Sequence, residues 1–525
     1  MSGYGLSTHP SLANPPCDVI GGRVTALTGD AIRSTNPARP SETVWLGSPR
    51  LEHVDHAVKE ARRALRAWSR TAREDRFAAL RRFARIASER KAELAALIRD
   101  ETGKPQWDAE GEAGVIGAKV DITLDSTEHG ALRRVTDYAV RLSDSRTGAC
   151  RFRPHGVMAV VGPYNFPAHL PNGHIIPALA MGNTVVFKPS DKTPACGQML
   201  VEMLLEAEFP EGVINMVNGG ADIATRLVSH PEVDGVLFTG SWPVGRKILE
   251  ANLDQPHKIV ALEMGGNNAA IVLPDCDLKQ AVIECVRSAF VSTGQRCTCT
   301  RRIIVHKEIA DKFIAAFCKA ASNLLIGDPR GIGLDGSREQ VFMGPLISDG
   351  ARKQVGEFFQ NIVNAGGRAL VQPTLIDDPS EGHYISPGVV LVDRFTLSED
   401  VTRDAGCDLE VFGPIVRILV TGTLDDAIEQ ANATKYGLAA SIFTKDEEAV
   451  ERFLFEAKAG CVNVNTGTAG ASSKLPFGGL DHSGNHRPAG SFSLDYCAVP
   501  IASMIERADV ATTHPGMRFD DDWGR

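Results

Sequence analysis

Apolar and polar positions divide the chain into stretches of different period. Over residues 51–101, Val54, Ala57, Val58, Ala61, Ala64 and Leu65 recur at spacings of three and four, and Phe77, Leu80, Phe83, Ile86 and Ala87 do much the same. That period lays an apolar stripe along helices, with Arg62, Arg63, Arg81 and Arg82 on the solvated face. Residues 136–154 read as two short strands around a turn, 138–142 and 149–152, a hairpin able to project from the body. Beyond it come unbroken apolar runs at residues 157–162, 184–188, 213–218, 234–240, 258–263 and 269–274, alternating with helical stretches. Continuous hydrophobicity marks strands buried on both faces, hence a parallel sheet of the α/β class. The alternation resumes from 301 to about 464, so two α/β domains are expected. Residues 1–20 and 507–525 read as tails.

Composition narrows the function classes. The chain has 525 residues, 43% hydrophobic and 23% charged, with a net charge of -9, an ordinary globular balance with room for several domains. An acidic chain offers no basic face for nucleic acid or an anionic membrane. No signal-peptide pattern opens the sequence and no apolar run reaches spanning length, so a cytoplasmic protein is expected. The 11 cysteines are scattered without a CxxC pair, and none of the 14 histidines falls in an HExxH array. No metal site is expected, and the thiols are expected to be reduced.

Candidate chemistry centres on residues 289–299, where small residues lead to Gly294-Gln295-Arg296-Cys297. A thiolate is the nucleophilic form of cysteine, and a cationic neighbour such as Arg296 favours it. Taken alone, a cysteine is more often a buried structural residue, so other groups must support the reading. Asn165, between Pro163 and Pro167, is a rigidly held amide suited to an oxyanion. Glu263 closes an apolar run beside Gly265 and Gly266, where burial raises a carboxyl toward the range of a useful base. Lys188 and Asp191 end another run and suit a ribose; a carboxylate there disfavours a 2'-phosphate and so favours NAD. The turn from Gly240 and Ser241 to Gly245 opens a helix and suits a pyrophosphate. It is not a P-loop, because Arg246 and Lys247 stand where Lys and Ser/Thr are needed.

Each motif is weak singly, but in order they resemble the NAD(P)-dependent aldehyde dehydrogenase superfamily over about residues 20 to 505. The pieces are GPYNFP, FKPSD, FTGSWPVG, LEMGGNN, GQRC, GPLIS, EVFGP, YGLAASIF and PFGG. The resemblance implies that Cys297 attacks an aldehyde, that Asn165 and the Cys297 N–H hold the oxyanion, and that Glu263 activates water against a thioester. It also implies that Lys188, Asp191, Gly240, Ser241, Gly245, Glu410 and Phe412 bind NAD. A Rossmann-like NAD-binding domain (21–135 and 155–275), a catalytic domain (276–480) and an oligomerisation arm (136–154 and 486–505) follow, in a homodimer or homotetramer. Longer stretches, among them residues 169–174 and 483–488, are similar to the branch acting on N-succinylglutamate 5-semialdehyde in arginine catabolism. Relatives that pass the acyl group to coenzyme A generally lack the Glu, so Glu263 implies release of a free acid. Val464, residues 466–475 and Asp481-His482 depart from that branch, which leaves another semialdehyde, or a non-catalytic protein on this fold, as alternatives. Arg296, Lys474 and Arg487 are candidates for gripping substrate carboxylates.

Overall fold

The computed structural model describes residues 9–334, 336–509 and 511–524. The apolar runs form two separate seven-stranded sheets. In the first, Ile259–Glu263, Gly235–Thr239, Val157–Val161, Thr184–Lys188 and Ile214–Met216 lie side by side, all parallel. Numbered by sequence, these five strands run 5-4-1-2-3, so the order reverses between Val157–Val161 and Gly235–Thr239. A reversal of this kind opens a crevice at the carboxyl ends of the strands. Every residue of Val157–Val161, Thr184–Lys188 and Gly235–Thr239 is buried, as continuous hydrophobicity requires of strands covered on both faces.

The second sheet runs Arg368–Val371, Gly388–Leu391, Ile415–Thr421, Thr300–His306, Asn268–Val272, Ala439–Phe443 and Cys461–Val464. It is parallel apart from the edge strand Arg368–Val371. The chain thus changes sheet at Gly265 and Gly266, earlier than the expected boundary at 275. A side chain at Gly265 would place its Cβ 1.8 Å from the Glu410 carboxylate, so the crossing passes against Glu410 only because that residue is glycine.

The expected N-terminal tail is corrected in part. Cys17–Ile20 is a buried strand of the first sheet, antiparallel to its neighbours. The Ala13 and Asn14 N–H groups donate to the Glu202 carboxylate at 2.9 and 3.1 Å, which anchors the residues before it. The hairpin is Tyr138–Arg141 with Arg146–Pro154, joined by Ala498–Glu506 into a three-stranded antiparallel sheet. Ala498–Glu506 alternates in burial along its length, the mark of a sheet with one open face. The expected second half of this arm, 486–505, is shorter: Ala489–Gly490 pairs with Pro476–Phe477, and Tyr496 and Cys497 are buried.

The helical stretch before the sheets is Glu52–Trp68, Arg73–Glu89 and Lys91–Thr102. A further helix, Gln106–Thr123, packs on the last two of these and on His169–Ala180. Gly103, at φ 77°, ends the preceding helix in the left-handed conformation that glycine adopts without penalty. Gln106–Thr123 buries apolar Ala109, Ala113, Ile116 and Val120, but also Asp108, Glu112 and Lys119. Among the described residues no helix is long and apolar enough to cross a membrane.

Candidate active site

A cavity of about 400 Å³ lies between the two sheets' loops, within the roughly 300–1,000 Å³ usual for small-molecule sites. Cys297 and Glu263 both line it, with Thr239, Phe166, His169, His174 and residues of Gln106–Thr123. Several elements therefore converge: the turn before Thr300–His306, the ends of two strands of the first sheet, one face of Gln106–Thr123, the start of His169–Ala180, and the loops around 469–473 and 488–490.

Cys297 is carried by a sharply folded segment. Ser292 and Thr293 sit at φ 52° and 57°, followed by Gly294 at 73°. Consecutive left-handed residues are costly unless held, and here both side chains are tied. Ser292 Oγ donates to Asp108 Oδ2 at 2.5 Å and Thr293 Oγ1 to the Gly344 carbonyl at 2.8 Å. A Cβ at Gly294 would lie 2.2 Å from the Gly413 carbonyl oxygen, so only glycine fits. The Asn268 amide donates to the carbonyls of Cys297 and Cys299 at 2.7 and 2.8 Å, which fixes the backbone on both sides of Thr298.

The thiol is not activated in the way the sequence suggested. Burial, then the Glu263 and Glu410 carboxylates, push Cys297 well above an ordinary thiol. Arg296 turns away from it. Its guanidinium bonds Asp108 Oδ1 at 2.6 Å and Ser292 Oγ at 2.8 Å, and stands over the Phe166 ring. The cation next in sequence thus holds the turn together instead of stabilising a thiolate.

Glu263 ends its strand and is 2% exposed, and neither carboxylate oxygen has a hydrogen-bond partner. Burial raises it well above an ordinary carboxyl, and the Arg487 charge opposes that rise. A buried carboxyl without donors keeps its proton to higher pH than an exposed one. Asn165 donates its amide to the Gln295 carbonyl at 2.9 Å, which orients it two residues before Cys297 and uses one of its two N–H hydrogens.

Of the residues assigned to a dinucleotide, Lys188, Asp191, Gly240, Ser241 and Gly245 lie past the carboxyl ends of strands of the first sheet, and Glu410 and Phe412 precede Ile415–Thr421 of the second. Lys188 is buried, bonding the Pro189 carbonyl and the Gly219 carbonyl, the latter at 2.9 Å, and burial pushes it down to about 8. Two acceptors leave one ammonium donor over. Asp191 is exposed. Ser241 precedes the helix Trp242–Glu250 and its hydroxyl caps nothing. Gly240 and Gly245 pack against Phe238 and Met264, where a Cβ would come within 2.3 Å. Glu410 accepts from Gly266 N at 3.0 Å and is raised to about 7, chiefly by burial. Phe412 meets Tyr164 edge-on at 6.1 Å.

Of the three carboxylate-gripping candidates, only Arg296 lines the cavity. Lys474 is exposed outside it, although Ser472 and Ser473 beside it are part of the wall. Arg487 donates to the Gly479 carbonyl at 3.3 Å and acts electrostatically on Glu263.

Sequence reasoning missed the helix face Asp108, Glu112 and Lys119, and the histidine roles. Glu112 pairs with Lys104 at 2.6 Å and accepts from the N–H groups of Ala168 and His169 at 3.0 and 3.1 Å. His174 bridges the Tyr496 hydroxyl and Thr239 Oγ1 at 2.8 and 3.0 Å. Burial, then nearby Lys119, Lys104 and Arg296, hold His169 down to about 4, so its ring is neutral.

Comparisons with known proteins agree with this geometry. Residues 24–499 match the Aldehyde dehydrogenase family. The chain is 41% identical over 506 residues to N-succinylglutamate 5-semialdehyde dehydrogenase of Paraburkholderia xenovorans, covering 95% of this chain and 99% of that protein. It is 39% identical over 513 residues to the protein of the same name from Escherichia coli K12, covering 94% and 99%. Among solved structures, lactaldehyde dehydrogenase from Escherichia coli superposes with a TM-score of 0.84 at 28% identity, covering 94% of this chain and 100% of that one. The 1-pyrroline-5-carboxylate dehydrogenase from Thermus with bound NAD does so at 0.85 and 26% identity, covering 95% and 94%. A thiol and a buried carboxyl line one cavity, and the likeness of the chain to these proteins over nearly its whole length places it in the aldehyde dehydrogenase family, as an oxidoreductase acting on aldehydes.

Proposed function

We propose that the chain oxidises N-succinylglutamate 5-semialdehyde to N-succinylglutamate with NAD, a step of arginine catabolism. The observation that carries the chemistry is the unbonded, buried Glu263 carboxyl in the wall of the cavity that holds Cys297. The substrate comes from the named relatives, to which the chain is 41% and 39% identical over nearly its whole length.

Cys297 gives up its thiol proton to solvent as Sγ bonds the aldehyde carbon, and the carbonyl oxygen becomes an oxyanion. The free N–H hydrogen of the Asn165 amide and the Cys297 backbone N–H receive that charge. NAD, when bound, supplies the hydride acceptor that leaves a thioester on Cys297. Glu263, once ionised, takes a proton from water, which attacks the thioester and frees the acid and the thiol. A base distinct from the nucleophile suits this order, because water must be activated only after oxidation. The residues present fit a dinucleotide: the spare Lys188 donor, the exposed Asp191 carboxylate and the uncapped start of Trp242–Glu250 flank the strand-order reversal. A carboxylate at the ribose favours NAD over NADP.

Residues 21–135 and 155–275 serve as the dinucleotide-binding unit, except that Asn268–Val272 goes to the catalytic unit by its sheet. The three-stranded sheet shows Tyr138, Val140, Leu142 and Met504 to solvent, and this apolar face supports assembly into a homodimer or homotetramer. All eleven cysteines are free, in keeping with a cytoplasmic location.

The test is reduced-cofactor formation by the purified protein with N-succinylglutamate 5-semialdehyde, succinic semialdehyde and hexanal, each with NAD and NADP. Preference for the succinylated aldehyde with NAD supports the proposal. Preference for another aldehyde keeps the chemistry and discards the substrate.

A further inference from the structure

The helix Gln106–Thr123 sends three ionisable side chains to the cavity wall, and two of them are already neutralised. Asp108 is paired with Arg296 at 2.6 Å, and Glu112 with Lys104 at 2.6 Å. Lys119 is the third. It is 3% exposed and lines the cavity. Its Nζ donates to the Gly490 carbonyl at 3.3 Å and to Ser493 Oγ at 3.0 Å, both uncharged acceptors. An ammonium has three donors, so one is left over. Among the described residues no carboxylate compensates the charge: Asp108 and Glu112 are committed to Arg296 and Lys104, and Lys119 has no ion pair of its own with either or with Glu263.

A buried cation without a counter-ion is costly, and its solvation is completed by an anion that enters with a ligand. We infer that Lys119 is the specificity-determining residue of this cavity, binding a carboxylate of the substrate through the ammonium donor that the protein leaves unused. The inference rests on the aldehyde-oxidising function proposed above and names the chemical class the cavity selects: aldehydes that bear a carboxylate remote from the reacting carbon. Arg296 is less suited, because Asp108 already holds its charge.

The surroundings of Lys119 are consistent with this role. Burial pushes Lys119 down to about 8, with Cys497 opposing. The other ionisable groups near it are His169 and His174, both held neutral, Cys497, Asp108 and Glu112 on its own helix, and on the other cavity walls Glu263, Cys297 and Arg296. A bound carboxylate restores the ammonium, so acidic aldehydes bind less well as the pH rises past about 8.

The experiment compares wild type, Lys119→Met and Lys119→Arg with NAD on two carboxylated aldehydes, N-succinylglutamate 5-semialdehyde and adipic semialdehyde, and on hexanal. Losing a charge-assisted hydrogen bond is expected to raise KM for the carboxylated aldehydes about 10- to 100-fold in Lys119→Met, with kcat and the hexanal kcat/KM within threefold of wild type. Lys119→Arg is expected to keep KM near wild type and to abolish its rise above pH 8, since arginine stays charged. Binding of the product N-succinylglutamate, followed by calorimetry, is expected to weaken in parallel in Lys119→Met. Equal losses on hexanal and on the acids would overturn the inference, as would a pH rise that persists in Lys119→Arg. A wild-type preference for adipic over the succinylated aldehyde would overturn the substrate reading but not Lys119; no wild-type preference for acids over hexanal would overturn Lys119 itself.

Discussion

Arg296 Nη2 lies 2.6 Å from Asp108 Oδ1, and Asp108 Oδ2 accepts from Ser292 Oγ at 2.5 Å, so one buried carboxylate holds the turn that presents Cys297. The pair bridges the helix Gln106–Thr123 and the nucleophile's segment. Asp108→Asn leaves Arg296 without its counter-ion. It is expected to destabilise the fold by an amount near the lower end of about 3–5 kcal/mol, because Arg296 keeps some solvent contact. Urea unfolding measures it. A double-mutant cycle with Arg296→Met is expected to show a coupling of about 1–3 kcal/mol; additive effects would mean that the pair does not hold the turn.

The contrast between what was and was not legible follows from the distance over which each signal acts. Asn165, Lys188, Glu263 and Gly240 lie at or just past the ends of fully apolar runs, so strand ends and site residues were read together. The mutual placement of the strands was not in any local pattern. The helix Gln106–Thr123 escaped because its buried Asp108, Glu112 and Lys119 break the apolar stripe by which helices are recognised. Arg296 was read as a neighbour of Cys297 in sequence, but its partner lies 188 residues earlier. The acceptors of Lys119 lie more than 370 residues later. Charge alone makes Lys474 a binding candidate, and nothing in its sequence neighbourhood signals that the residue lies outside the cavity wall.

Glu263→Gln is expected to separate the two halves of the reaction. The amide cannot take a proton from water, so thioester hydrolysis slows about 10²–10⁴-fold, while oxidation still proceeds once. Stopped-flow absorbance should then show a burst of one NADH per Cys297 followed by a slow phase. Loss of the burst together with turnover would give Glu263 a part in the first step as well.

The same residue makes stability depend on pH. Its folded pKa is raised by burial, so the contribution of its neutral form is fully present below the unfolded pKa near 4.3. It is lost as pH rises through the folded pKa, because the folded state binds the extra proton. Relative to Glu263→Gln, wild type is expected to lose stability as pH rises from about 5 upward. Unfolding free energies of the two proteins that stay parallel over this range would contradict the burial argument.

The open face of the three-stranded sheet predicts where copies of the chain meet. Val140 is 49% exposed and Met504 75%, on neighbouring parts of one small sheet. Val140→Asp should disfavour a contact there by placing a charge in an apolar interface. Sedimentation velocity at micromolar protein is expected to shift toward the monomer, with far-UV circular dichroism unchanged. An unaltered sedimentation coefficient would move the contact elsewhere.

Arg487 acts on the reaction through Glu263. It stands at φ 53°, in the left-handed region, with its guanidinium held by the Gly479 carbonyl, and its charge is what opposes the burial-driven rise of the Glu263 carboxyl. Removing that charge leaves desolvation unopposed, so ionisation of Glu263 needs a higher pH. Since water activation requires the ionised form, the acidic limb of kcat should move to higher pH in Arg487→Gln. Turnover is expected to fall most at the acidic end of the profile and to approach wild type at its alkaline end. The burst of NADH, which precedes water activation, should keep its amplitude throughout. A loss that is the same at every pH would instead assign Arg487 to the folding of the loop that carries it, and Arg487→Lys, which keeps the charge but not the guanidinium geometry, would then fail to restore the limb.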